Sequence, residues 1–140
     1  MNSWEALMGP GSGIYLLSAA EDRPPMESRA GRCVCFVDGK KCATTQTLFS
    51  EFAGQLSFPS YFGRNWDAFD ECMSDLHWLP CQSHLIIILD AASLLQLGPD
   101  LGILLNVLRD VAGEWATVFP GESYKVAFVL AEHEKASFCR

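Results

Sequence analysis

The run HLIIILD, residues 84–90, constrains the chain most. Leu85 to Leu89 are all apolar, so no side of that segment suits water. Such a run reads as a strand buried on both faces, the pattern of a parallel sheet sandwiched under other elements. It is far too short to span a bilayer. RCVCFVDG, from Arg32, reads as an earlier strand ending in a turn at Asp38-Gly39, and YKVAFVLAE, from Tyr124, as a final one. Helical spacing fills the gaps. Thr44 or Thr45 can cap a helix carrying Leu48, Phe49, Phe52 and Leu56. Pro59 and Gly63 break it, and Asn65 can cap a second helix that stops before Pro80. ASLLQL predicts a short helix, and Leu101 to about Trp115 a longer one with Ile103, Leu104, Val107, Leu108 and Val111 on one side.

Strands alternating with helices imply parallel pairing and right-handed crossovers. The expected fold is therefore α/β: a small parallel sheet of three strands covered by about four helices. GIYLLS, residues 13–18, supplies a fourth, edge strand if it joins. With 140 residues, 49% of them hydrophobic, the chain can form one core without staples. Residues 1–31, with GPGSG and Pro24-Pro25, read as a partly ordered N-terminal extension, and residues 32–140 as the main domain. Removing residues 1–10 is expected to leave function nearly intact.

The N-terminus lacks a basic start and its GIYLL run is too short for a secretory signal, so a cytoplasmic location is expected. The six cysteines then read as reduced thiols rather than a disulfide framework. Cys33 and Cys35 would share one strand face, and Cys81 with His84 makes C-x-x-H, but neither has the paired spacing of a zinc site. No metal and no cofactor are expected.

The segment FPSYFGRNWDAFDECMSDLHWLP, residues 58–80, is patterned differently. Between Asn65 and Pro80 it holds four acidic residues and no Lys or Arg. On a helix of about 100° per residue, Trp66, Phe69, Cys72, Met73 and Leu76 share one face. Asp67, Asp70, Glu71, Ser74 and Asp75 share the other, within roughly 140°. Asp67–Glu71 and Glu71–Asp75 are like charges one turn apart, each costing roughly 0.2–0.5 kcal/mol in an isolated helix. A surface kept only for solubility would mix signs. The face therefore awaits cations from another molecule. Only 19% of residues are charged and the net charge is −7, which argues against nucleic-acid binding and suits a basic protein partner. An enzyme is not expected. The carboxylates line one solvated helix, His77, His84 and His133 are scattered, and no nucleophile elbow, phosphate loop or dinucleotide fingerprint is present.

Pro59, Tyr61, Phe62, Gly63, Asn65, Asp67, Ala68, Cys72 and Pro80 fall at the offsets of the barstar family, which this segment resembles without a gap. VLRDVAGEW, residues 107–115, resembles the family's last helix more weakly. The resemblance implies a small parallel sheet covered by helices. It also implies inhibition of a microbial, barnase-like extracellular ribonuclease, with carboxylates taking the place of RNA phosphates. By that resemblance Tyr61 is an aromatic loop contact, Asp67 and Glu71 are contact carboxylates, and Asp110 and Glu114 are supporting ones. Asn65, Asp70, Ser74 and Asp75 complete the expected partner-binding set. The chain departs from the family pattern at Asp70, where a Trp is usual, at Glu71, where Asp is, and at Asp75-Leu76, where Gly-Trp is. The expected partner is a basic secreted or toxin ribonuclease, bound 1:1 by a monomer acting as antitoxin or immunity protein. The other reading is a non-catalytic barstar-like module for a different basic protein.

Overall fold

Strand β3, Cys81–Leu89, lies inside the sheet, between β2 (Gly31–Asp38) and β4 (Tyr124–Leu130). β1 (Gly13–Ser18) pairs with the outer side of β4, and the order is β1-β4-β3-β2 with every pair parallel. The computed structural model describes residues 3–21, 23–24, 26–28 and 31–138. Cys139 lies outside them, as do parts of the expected N-terminal extension. The two inner strands are those with unbroken burial: all of β4, and His84 to Ile88 of β3. The parallel pairing of the four strands thus accords with the apolar runs, as expected of an α/β sheet.

Among the described residues four α-helices cover the sheet: α1 (Thr45–Gln55), α2 (Trp66–Asp75), α3 (Pro99–Val118) and α4 (Glu132–Phe138). Short 3-10 turns occupy 3–8, 39–41 and 91–97, so ASLLQL forms a 3-10 turn rather than an α-helix. Helix α3 is longer than its periodicity suggested. It buries Leu101, Leu104, Leu108, Val111, Ala112 and Trp115, while Ile103 is 40% exposed and falls off the buried side. Helix α4 had no sequence signal, because Phe138 is its one buried residue.

All four helices pack on one face of the sheet. Leu48, Phe49 and Phe52 of α1, Phe69 and Met73 of α2, Leu104 and Leu108 of α3 and Phe138 of α4 join Ile86, Ile88, Val126 and Phe128 in one core. The opposite face carries a smaller cluster in which Trp4 and Leu7 cover Leu17, Leu85, Ile87, Ala127 and Val129. Trp4 Nε1 donates to the Ser18 carbonyl at 3.2 Å. The Lys125 ammonium, buried under this cover, donates to the carbonyls of Leu7 (2.9 Å) and Gly9. Desolvation, and then nearby Arg32, pull its pKa down.

Local chemistry sets the element ends. Thr44, not Thr45, caps α1: its side chain accepts from Thr47 N at 3.2 Å, and Thr47 Oγ1 accepts from Thr44 N at 3.0 Å, closing a capping box. Thr45 Oγ1 instead donates to Asp100 Oδ2 at 2.7 Å, tying α1 to the start of α3. Gly39 ends β2 where a Cβ would collide with the carbonyl oxygens of Leu89 and Asp90.

The expectation of reduced thiols is overturned at one pair. Cys33 and Cys81 form a disulfide. They sit at the starts of neighbouring strands with Cα atoms 5.8 Å apart, inside the range a disulfide can bridge. The pairing joins residues 48 apart, which no spacing rule could reveal. Cys35, Cys42 and Cys72 are free thiols. Burial, helped by Glu51 and Asp38, pushes the Cys42 thiol up to about 12.

Deleting residues 1–10 therefore strips a buried Trp, a buried Leu and both acceptors of Lys125. We expect a loss of at least about 3 kcal/mol, the usual cost of emptying a buried Trp site, read from urea denaturation. An unchanged midpoint would show that this cover is not part of the core.

Candidate functional site

Helix α2 begins where the sequence asks it to. Asn65 is extended, and its Oδ1 accepts from Ala68 N at 2.8 Å. Leu76, in the left-handed conformation at φ 47°, ends the helix. Two buried aromatic donors then satisfy its last carbonyls. Tyr124 OH donates to Met73 O at 2.7 Å and Trp115 Nε1 to Ser74 O at 3.1 Å. Phe69, Cys72, Met73 and Leu76 are buried and Trp66 is half-buried, as the wheel required. The helix is thus fixed along its inner face and at both ends.

The outer face presents Asp67, Asp70, Glu71 and Asp75, all exposed. Ser74, half-buried, donates to Asp70 Oδ1 at 3.4 Å. His77 Nδ1 lies 2.8 Å from Asp75 Oδ2. Among the described residues no Lys or Arg pairs with any of these four carboxylates. The nearest cation in sequence, Arg64, is drawn away. Its guanidinium donates to Gln46 O (2.9 Å), Ser50 Oγ (2.8 Å) and Gln46 Oε1 (3.3 Å) on α1, and its backbone adopts φ 55°. Among the described residues the row of acceptors therefore has no Lys or Arg counterion, His77 beside Asp75 being the basic group in contact with it.

A hollow of about 200 Å³ opens beside this row, lined by Tyr61, Phe62, Ala68, Glu71, Cys72, Asp75 and Trp78. Tyr61 is 69% exposed at its rim, and Trp78 is anchored by Nε1 donating to Leu56 O at 2.8 Å. Cys72 lies at the base. Burial first, then Asp75 and Glu71, raise its pKa and keep it a neutral thiol. A second, shallow hollow of about 60 Å³ brings Ser74 of α2 together with Glu114, Trp115, Val118 and Phe119. The structure thus unites Tyr61, Glu71 and Asp75 in one depression and Ser74 with Glu114 in another. Asp67 and Asp70 stand exposed on the same helix outside both hollows, and exposed Asp110 lies one turn before Glu114 on α3, in neither. Asn65 is occupied as the helix cap. Phe62, Ala68, Cys72 and Trp78 were missed as lining residues; the aromatics flanking the helix were the available signal.

Carboxylates in this setting accept hydrogen bonds and attract cations. A Tyr rim and a Trp wall offer flat faces for a guanidinium or imidazolium. Pro80 and the residues after it lead straight into β3, so the face is seated on the inner sheet.

Residues 33–131 match the family described as Barstar (barnase inhibitor). No curated protein matches the chain. Among solved structures it is similar to the Aeropyrum pernix ORC2 protein, determined as ADPNP-ADP complexes, at 14% identity and a TM-score of 0.53. That likeness covers 99% of this chain and 41% of the other, and it is one of fold alone.

Replacing Asn65 by Ala should cost about 1 kcal/mol of stability through the lost cap. Glu71→Gln should leave stability unchanged or raise it by a few tenths of a kcal/mol, since it relieves like-charge neighbours. Chemical denaturation of both variants reads this. A destabilised Glu71→Gln would mean that the carboxylate serves the fold rather than a partner.

Proposed function

Since the chain belongs to the barstar (barnase inhibitor) family, we propose that it is a protein inhibitor of a microbial, barnase-like extracellular ribonuclease. The outer face of α2 and the Tyr61 loop before it block the enzyme's cationic active site. The observation that carries this reading is the row Asp67, Asp70, Glu71 and Asp75, exposed and without a Lys or Arg partner among the described residues.

A ribonuclease must hold cationic groups where phosphate charge develops. A rigid row of carboxylates is complementary to that site and loses little conformational freedom on docking. Net charge −7 steers a basic partner toward it. The proposed complex is 1:1, formed by a monomer, because the acidic face repels its own copy. The proposed setting is the cytoplasm of a cell that makes the enzyme, where an antitoxin or immunity protein must act before export. Binding of nucleic acid or membrane has no part in it, and among the described residues no helix is long and apolar enough to cross a membrane. The family is one of inhibitors and generally non-catalytic, and no catalytic role is proposed for any residue here.

The test is titration into assays of small, secreted guanyl-specific ribonucleases. Stoichiometric inhibition is expected from the wild type. Glu71→Ala should weaken binding by about 2–5 kcal/mol, much of it from stranding the enzyme's buried cation. Asp67→Ala should weaken it too, and association should slow as salt rises. Wild-type affinity and unchanged salt dependence in both variants would end the phosphate-mimic reading. Tight binding that leaves nuclease activity intact would point to a different basic protein.

A further inference from the structure

Cys33, Cys81 and His84 meet at the start of the inner sheet. His84 on β3 is the register partner of Cys33 on β2, and Cys81 begins β3 three residues earlier. One ligand atom from each of the three lies within 4.8 Å of the others. His84 Nδ1 is 3.7 Å from Cys81 Sγ. The histidine is 3% exposed, and its ring is held edge-on to Trp115 (centroids 5.2 Å) and tilted against Tyr124 (5.8 Å).

We propose that, once the Cys33–Cys81 disulfide is reduced, Cys33, Cys81 and His84 form a binding site for a thiophilic divalent cation, of which zinc is the best fit. Zinc takes thiolate sulfur at about 2.3 Å and imidazole nitrogen at about 2.0–2.1 Å in a tetrahedron, which sets sulfur and nitrogen ligands about 3.6 Å apart. The Cys81–His84 separation of 3.7 Å is already close to that value. Two sulfurs on one zinc stand about 3.8 Å apart, a separation reached by rotating two half-buried cysteine side chains after the S–S bond opens. A neutral imidazole offers a ring-nitrogen lone pair to a metal, and His84 Nδ1 is the nitrogen that faces Cys81. Three protein ligands leave the fourth position to water or to a group from outside. The C-x-x-H spacing showed only two of the three ligands, because the third comes from the neighbouring strand.

Reaching the dithiol consumes two molecules of a low-molecular-weight thiol. The S–S bond breaks by exchange, two cysteine thiols form, and the reductant leaves as its own disulfide. Zinc then replaces the two thiol protons, which pass to solvent. The inference does not depend on the partner face; it requires only a compartment reducing enough to open the pair, as the cytoplasm is.

The test uses the full chain reduced with a phosphine and titrated with cobalt(II), then zinc(II). The expected result is one cobalt per chain, with intense thiolate-to-cobalt charge-transfer absorption that zinc abolishes, and no such binding by the disulfide form. Cys33→Ser and His84→Gln should each weaken binding by at least about tenfold, the least that losing even a supporting partner costs a metal site. Absence of stoichiometric binding by the reduced wild type overturns the proposal without recourse to any variant. Undiminished affinity and charge-transfer intensity in Cys33→Ser also overturns it, by placing the metal on the other thiols.

Discussion

The packing of Phe69 holds the acidic face of α2 in place. Its ring, fully buried, lies 5.2 Å from Phe52, 5.6 Å from Phe49 and Trp66, and 6.2 Å from Phe58. Burying such a side chain is worth about 1.5–3 kcal/mol, and each well-oriented ring pair adds about 0.5–1.5 kcal/mol. The like-charge neighbours on the outer face cost roughly 0.2–0.5 kcal/mol each. Docking outweighs repulsion, so the helix can carry carboxylates that its own sequence does not neutralise. An isolated peptide of these ten residues would have no such compensation.

The same packing governs what the face can do. Tyr124 and Trp115 hold the last carbonyls of α2 from beneath, so the carboxylates ride on the inner strand β4 and the long helix α3 rather than on a mobile loop. Arg64 would otherwise be the obvious internal counterion, and α1 removes it by offering three acceptors. Among the described residues no Lys or Arg is left to occupy this face. The Tyr61 hollow beside Glu71 and Asp75 adds shape to that charge, which otherwise attracts basic surfaces without discriminating among them.

The sheet is covered unequally. Among the described residues four α-helices bury one face, while Trp4, Leu7 and Met26 cover the other. A segment that looks like an appendage in sequence is part of the second layer, and Lys125 depends on its carbonyls. At the start of β2 and β3, strand register and the Cys33–Cys81 disulfide bring two sulfurs and the His84 imidazole together.

Much of this was legible in the order of residues. The apolar run at Leu85–Leu89 demanded an inner parallel strand, Asn65 a helix start, and the split between Phe69, Met73 and Asp67, Glu71 a helix with one buried and one acidic face. Those signals are local: each depends on periodicity, a cap or a turn within a few residues. What folding alone decided joins distant positions. The diversion of Arg64 to Gln46 and Ser50, the meeting of Ser74 with Glu114, the burial of Lys125 under Leu7 and Gly9, and the pairing of Cys33 with Cys81 all require elements far apart in the chain to be laid side by side. Helix α4 and the exposed side of Ile103 belong with them, since burial there is set by which neighbour arrives and not by the segment's own pattern. Local propensity and patterning act over one or two turns of chain, whereas counterions, second layers and cross-strand ligands exist only after the sheet has assembled.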